Sequence, residues 1–290
     1  MAKDELLKTN KIRILQKTKK TTCTVILYAL LVFGVFIVCF PFLWMVLTSI
    51  KTSEEVLYLT FFPRTPQWHN YATVFDRVDI LRALLNTLIV EITVVPCGLF
   101  FSLLASYSFA KLRLKHRFIK LMTLLTVMMV PYATIMLPQY QMFRMAGLIG
   151  TLLPLTLPGL LGNIGAMFFF TQYMYSIPDS YLEAARIDGS SSFGILMRIV
   201  FPLMGPAVIA QVIFGFVGNW NDFFAPSIYL SNPDNMTLQV ALSFLNTTDG
   251  VSDKPLVMAG AVVVSLPLFA IYLSFQRFFI GSLSVSGIKG

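Results

Sequence analysis

The sequence predicts an all-α integral membrane protein with six transmembrane helices and one cytoplasmic helix between the fourth and fifth spans. Three observations predict it. Of the 290 residues 56% are hydrophobic and only 12% are charged, about half the charged share of an ordinary soluble domain. The apolar residues fall in uninterrupted runs of the roughly 20 residues that carry a helix across a bilayer. The basic residues gather at the ends of those runs, as cytoplasmic anchoring charges do.

The elements follow in order. Residues 1–24 form a basic arm (Lys3, Lys8, Lys11, Arg13, Lys17, Lys19, Lys20), and residues 25–290 form a single transmembrane domain. The first span, about Val25–Leu47, is longer than a signal-peptide core of about 7–15 residues. No A-x-A-like site follows it, so it is retained. The remaining spans are expected at about Leu84–Ala110, Phe118–Leu137, Leu152–Tyr175, Val200–Phe224 and Leu256–Phe279. Pro41, Pro96, Pro131, Pro158, Pro202, Pro206 and Pro267 fall within these spans. They are expected to mark kinks, suited either to a pathway through the membrane or to packing alone. Two outer loops stand out. One, about Thr48–Ala83, mixes Pro63, Pro66, Trp68 and Tyr71; the other, 227–255, is rich in turns at Asn232–Asn235 and Thr247–Gly250. No internal repeat or low-complexity tract is present.

Charge sets the orientation. With the N-terminus inside, the cytoplasmic segments hold sixteen Lys and Arg, five of them (Lys111, Arg113, Lys115, Arg117, Lys120) in one short loop, against six outside. Both termini are therefore expected in the cytoplasm. The net charge of +8 is then anchoring charge, and no soluble domain is left to bind nucleic acid. Cys23, Cys39 and Cys97 lie in or beside apolar runs without a CxxC pair and read as small buried hydrophobes.

Residues 177–202 read as a helix–turn–helix outside the membrane. Pro178 suits a first helical position, and Asp179 beside it favours a helix N-terminus. Gly189 allows a left-handed stop, and Ser190–Ser192 offer an N-cap for the next helix. Ala184 and Ala185 carry little side chain, so this helix is expected to approach another protein surface closely. Glu183 and Arg186 bracket the pair with opposite charges.

Here the sequence resembles the permease subunits of binding-protein-dependent ATP-binding-cassette importers. Their hallmark is Glu-Ala-Ala, three residues, Gly, nine residues, Ile, one residue, Leu-Pro. The chain has Glu183, Ala184, Ala185, Gly189, Ile199 and Pro202 at those spacings, with Phe201 where the pattern has Leu. The resemblance implies a type I importer permease fold. It also implies coupling to a separate ATPase through Glu183, Ala184, Ala185, Arg186, Asp188, Gly189, Ile199 and Pro202. The run Asn219-Trp220-Asn221-Asp222, then Pro226 and Thr237-Leu238, is similar to the carbohydrate permeases of the maltose type. So is the tail, Gln276-Arg277-Phe278-Phe279 with Gly287-Ile288-Lys289-Gly290. Among these it looks like the second permease of the pair. The implied assembly sits in a bacterial or archaeal cell membrane. It holds a companion permease, two ATPase subunits using ATP and magnesium, and an external solute-binding protein that delivers a sugar or oligosaccharide. No cofactor is expected on this chain.

Other classes find little support. No G-x-x-x-x-G-K-[ST] loop occurs, so a phosphate cradle must lie on another polypeptide. His69 and His116 are the only histidines and lie in loops, which leaves no metal or hydrolytic cluster to read. A gradient-driven carrier would bury coupling carboxylates and show repeats. An importer for phosphate, amino acids or polyamines is the nearer alternative.

Few polar groups lie at membrane depth, so each is a candidate for the pathway or a gate. Glu91, about seven residues into the second span, either lines a sugar path or pairs with Asn86 or another chain's donor; pairing is favoured. Gln211, Asn219 and Asn221 are amides suited to sugar hydroxyls, and Trp220 offers a flat apolar face. The stretch Asn219–Asp222 is expected to be an outer gate or packing element more than a direct sugar contact.

Overall fold

The computed structural model describes residues 2–58, 60–246 and 253–286. The Thr247–Gly250 turn and the Gly287–Gly290 tail lie outside the described residues, as do the side chains of the basic arm and of Arg277, Phe278 and Phe279. All regular structure among the described residues is helical.

α1 (Ala2–Ser49) is one helix of 48 residues, so the basic arm continues the first span without a break. α2 (Ser53–Leu57) and α3 (His69–Arg77) occupy the first outer loop. Thr52 and Glu55 cap α2 reciprocally. Lys51, 1% exposed, donates to the Thr60 carbonyl and stands 4.4 Å from the Trp44 ring centroid. This loop is a folded cap on the first span, not a plain tether.

α4 (Ile80–Lys111) is the second span. It starts four residues earlier than expected because the Asp79 side chain caps the Arg82 N–H at 3.0 Å. The third span is broken into α5 (Arg117–Met128) and α6 (Tyr132–Met145), which meet at 85°. Pro131 has no N–H to continue α5 and restrains Val130 before it. The fourth span is α7 (Leu153–Leu160) and α8 (Ile164–Tyr175), joined through Gly162 at φ +109°. α9 (Asp179–Ile187), α10 (Ser192–Ile195), a π turn (Leu196–Val200) and α11 (Phe201–Leu203) lead into α12 (Gly205–Trp220). α12 turns away from the segment before it by 81°. The fifth span therefore runs straight only from Gly205, not from Val200, because Pro202 and Pro206 remove two donors four residues apart. α13 (Phe224–Tyr229) and α14 (Leu238–Ser243) form the second outer segment, and α15 (Lys254–Ser286) is the last span.

Among the described residues four helices are long and apolar enough to cross a membrane, and up to six spans result when each bent pair counts as one. Pro41, Pro96 and Pro267 lie within unbroken helices, so a lone proline in a long packed span does not interrupt it here.

α4 is the axis of the packing, in contact with α7, α8, α12 and α14. Its residues Gly98, Ser102 and Ser106 repeat every four and form one stripe. A Cβ on Gly98 would stand 2.7 Å from the Gly159 carbonyl oxygen. The Ser102 hydroxyl oxygen accepts the Asn163 N–H at 2.9 Å, and Ser106 donates to the Met167 carbonyl at 2.9 Å. In a bilayer, where lipid is as apolar as leucine, such small-residue seams hold helices together by close backbone approach and hydrogen bonds. α1 lies against α15 and leaves most of its apolar surface uncovered, Val32 at 68%. Cys23, Cys39 and Cys97 are exposed on the protein surface, not buried as expected, because the spans that carry them show those faces outward to an apolar solvent.

Candidate functional site

The first candidate surface is the segment 177–202. Pro178 is the N-cap of α9, at ψ 135°, one position ahead of the first helical residue expected for it. Gly189 stops the helix at φ +80°. Its N–H bonds to the Arg186 carbonyl at 3.1 Å, and the Ser190 N–H to the Ala185 carbonyl at 2.9 Å, the bond pair of a left-handed helix stop. Ser191 then caps the next helix by accepting the Gly194 N–H at 3.1 Å.

The alanine pair is divided. Ala185, with Leu182, is buried in the bundle, while Ala184 faces outward with Tyr181 and Ile187, the last 87% exposed. Only one of the two alanines is therefore open to another protein, since neighbours on a helix point about 100° apart. Glu183, Arg186 and Asp188 are exposed around that face. Ile199 packs partly into the core below it. Pro202 follows the π turn, where the Phe201 N–H reaches the Leu196 carbonyl, a widened turn that relieves the clash of the proline ring with the preceding turn.

The segment is fastened to α4. The Lys111 Nζ, on a side chain 5% exposed, donates to the Ile177 carbonyl at 2.7 Å and to Asp179 Oδ1 at 2.6 Å. The hydrogen bond and charge of Lys111 hold the Asp179 carboxyl below its ordinary range. Sequence reasoning counted Lys111 only as anchoring charge. Its place at the last turn of a span was the available signal that it binds carbonyls there.

The second candidate is a cavity of about 670 Å³ among α4, α7, α8, α12 and α13. Gln211, Gly215 and Asn219 line it together, as residues four apart on one helix must. Glu91 and Asp222 line it as well. Trp220 and Asn221 do not. Trp220 is 1% exposed and stacks on Phe216 with centroids 5.2 Å apart, so it is a core residue, not a pathway or gate surface. Asn221 turns its amide back to the Val217 carbonyl at 2.8 Å. Asp222 Oδ1 accepts the Phe224 and Ala225 N–H groups at 3.0 and 3.3 Å, capping α13.

Glu91 lies eleven residues into α4, not seven, and is 2% exposed. Neither of its carboxyl oxygens has a hydrogen-bond partner. Asn86 is not its partner: that amide donates to the Asp234 and Met236 carbonyls, both at 3.0 Å. Asn219 is the side chain that neighbours Glu91, short of hydrogen-bond geometry. Thr237, which the sequence did not single out for the cavity, also lines it. At 6% exposure, its hydroxyl is likewise without a partner.

The second outer segment adds Phe224, Ala225, Pro226 and Thr237 to the lining of this cavity and is tied to α4. Thr87 accepts the Leu238 N–H at 3.0 Å, and Arg82 pairs with Asp234 at 2.9 Å. Asn235 adds a bond to the Gly150 carbonyl at 2.6 Å, and the Gly150 N–H reaches the Tyr229 carbonyl at 2.8 Å.

Residues 22–284 match the family described as the inner membrane component of binding-protein-dependent transport systems. The chain is similar to the arabinooligosaccharides transport system permease protein AraQ of Halalkalibacterium halodurans, 33% identical over 263 residues, covering 89% of this chain and 94% of the relative. It is also similar to the sulfoquinovosyl glycerol transport system permease protein SmoH of Agrobacterium fabrum, 30% identical, covering 87% and 89%. Among solved structures, a chain of a bacterial ABC transporter that imports the acidic polysaccharide alginate shares the fold. Its TM-score is 0.75 at 22% identity, covering 88% of this chain and 95% of that one. The protein is thus a multi-pass membrane permease subunit that belongs to the family of inner membrane components of binding-protein-dependent transport systems.

Proposed function

We propose that the chain carries a sugar or oligosaccharide, handed over by an external binding protein, through a pore shared with a companion permease. Two partner ATPase subunits supply the drive from ATP and magnesium, and this chain contributes the mechanical link. The relatives named for arabinooligosaccharides and sulfoquinovosyl glycerol support a carbohydrate cargo, as does a cavity lined by Gln211, Asn219 and Asn163 amides. The excess of Lys and Arg on one set of loops supports cytoplasmic termini, and α9 then lies on the ATPase side.

One observation carries the coupling role. α9 offers Tyr181, Ala184 and Ile187 to a partner, and the same helix is fastened through Lys111 to the span that bears Glu91. A partner surface that closes on α9 therefore pulls on a wall of the cavity. The second outer loop, 227–255, is assigned the contact with the binding protein. Charge at the ends of α9 would fix its seating.

The test is ATPase activity of the reconstituted complex with its companion subunits, with and without sugar-loaded binding protein. Wild type is expected to be stimulated. Gly189→Asp places a side chain at positive φ, at a cost of about 1 kcal/mol, and Glu183→Lys reverses a charge on the docking face. Both are expected to assemble and lose stimulation. Stimulation that survives both changes removes the assigned role of α9. Sugar uptake without ATP removes the importer reading itself.

A further inference from the structure

We infer that the concavity between the α4–α5 loop and α9 binds the headgroup of an anionic phospholipid, whose acyl chains lie along α5. Its space of about 490 Å³ is lined by Lys111, Arg113, Arg117 and Arg186 against Asp179 and Glu183, four cations to two acids. Lys111 and Asp179 satisfy each other at 2.6 Å. Three guanidinium groups are left with one carboxylate, and among the described residues Glu183 forms an ion pair with none of them. Arg113 is exposed and, among the described residues, has neither a hydrogen-bond nor an ion-pair partner.

Guanidinium groups gathered at one concavity repel one another, and a phosphodiester, whose free oxygens accept from their paired N–H groups, relieves that repulsion. Depth selects the source of the phosphate. Lys111 closes α4, Arg117 opens α5 and Tyr175 closes α8, so three spans end at this level. Arg117 turns back toward them: its guanidinium stands 5.8 Å from the Tyr175 ring centroid and donates to the Phe109 carbonyl at 3.4 Å. Basic and aromatic groups at span ends mark the depth of lipid headgroups. Directly after Arg117 come Phe118 and Ile119, 70% and 63% exposed, and α5 buries none of its residues. Cations beside an open apolar face fit a molecule with a charged head and apolar tails. A protein acid would use the first and leave the second bare. Tyr181, Ala184 and Ile187, the α9 face offered to the ATPase, line no part of this pocket. A headgroup held by Arg113 and Arg117 on the loop and by Arg186 on α9 joins the two, a second tie beside that of Lys111. The site does not depend on which cargo is carried.

The experiment uses the delipidated complex of this chain, its companion permease and the ATPase subunits in detergent. Phosphatidylglycerol, or phosphatidylcholine with the same chains, is titrated in, and bound lipid is read by native mass spectrometry. Wild type is expected to bind phosphatidylglycerol at least about tenfold more tightly than phosphatidylcholine. Arg113→Gln with Arg117→Gln is expected to reduce that preference to less than about twofold. Lys8→Gln with Lys11→Gln removes the same charge from the basic arm and should narrow it by less than about threefold. Soluble glycerophosphoglycerol, the head without the tails, should compete at least about a hundredfold more weakly than the lipid. No preference in wild type overturns the inference and leaves the pocket to an acidic surface of the ATPase. Equal losses in the two double variants overturn it as well, since diffuse surface charge then accounts for the binding. Competition by the soluble head as strong as by the lipid assigns the site to a free phosphate ester and removes the lipid as its occupant. Should Arg117→Gln not assemble, Arg113→Gln alone, at a side chain that holds nothing else in place, is expected to narrow the preference at least about threefold. A preference that it leaves unchanged overturns the inference.

Discussion

Glu91 shows how much a single side chain can disclose once its neighbours are placed. A carboxyl 2% exposed with no partner works against folding, because a buried polar group left without a hydrogen bond costs on the order of 1–3 kcal/mol. Glu91→Leu should therefore raise the thermal midpoint of the purified complex by a few degrees. A lowered midpoint would show that a partner chain completes the group structurally. Asp179 answers to pH in a defined sense. Its folded pKa lies below the ordinary value of 3.8, so the tie to Lys111 is fully present above that value and is lost as pH falls through the depressed one. At neutral pH the tie is constant. Asp179→Asn should speed amide exchange in α9 by less than about fivefold, corresponding to under about 1 kcal/mol for a side chain that is largely in water.

At the scale of elements, local chemistry was legible and tertiary direction was not. The stop at Gly189 and the Ser191 cap could be read from residue types, since caps are satisfied within a few residues. The 85° and 81° breaks could not. Prolines fall in every span but the third has no more of them than others that run straight, and the neighbours that accept a broken helix come from elsewhere in the chain. The division of Ala184 from Ala185, and of Asn219 from Trp220, was within reach of a 100° helical period but required knowing which face is covered. The contact seam of α4 makes a sharper prediction. Gly98→Val places a branched side chain against the Gly159 backbone, where even a Cβ would stand at 2.7 Å. Backbone cannot swing aside as a side chain can, so a loss of about 1–3 kcal/mol is expected, read as a lower midpoint in detergent. Gly34→Val, where a Cβ meets nothing within 4 Å, is the control and should leave the midpoint unchanged.

Across the whole molecule, the segment around Asp234–Leu238 and the α9 face lie at opposite ends of one helix. α4 carries Arg82, Asn86 and Thr87 against the second outer segment, Glu91 in the cavity, the small-residue seam, and Lys111 against α9. If the outer segment parts from α4 during each transport cycle, a disulfide across Arg82→Cys and Asp234→Cys should arrest uptake, and reduction should restore it. Uptake that continues with the disulfide formed would place the moving boundary elsewhere. The 32 residues of α4 extend about 48 Å at 1.5 Å per residue, and that continuity has a consequence for inheritance. Lesions at Gly189 or Glu183 should find second-site suppressors among Arg82, Asn86 and Asp234, which share no contact with them. A screen for restored growth on the cargo sugar would then recover, from the far side of the membrane, a map of the same helix.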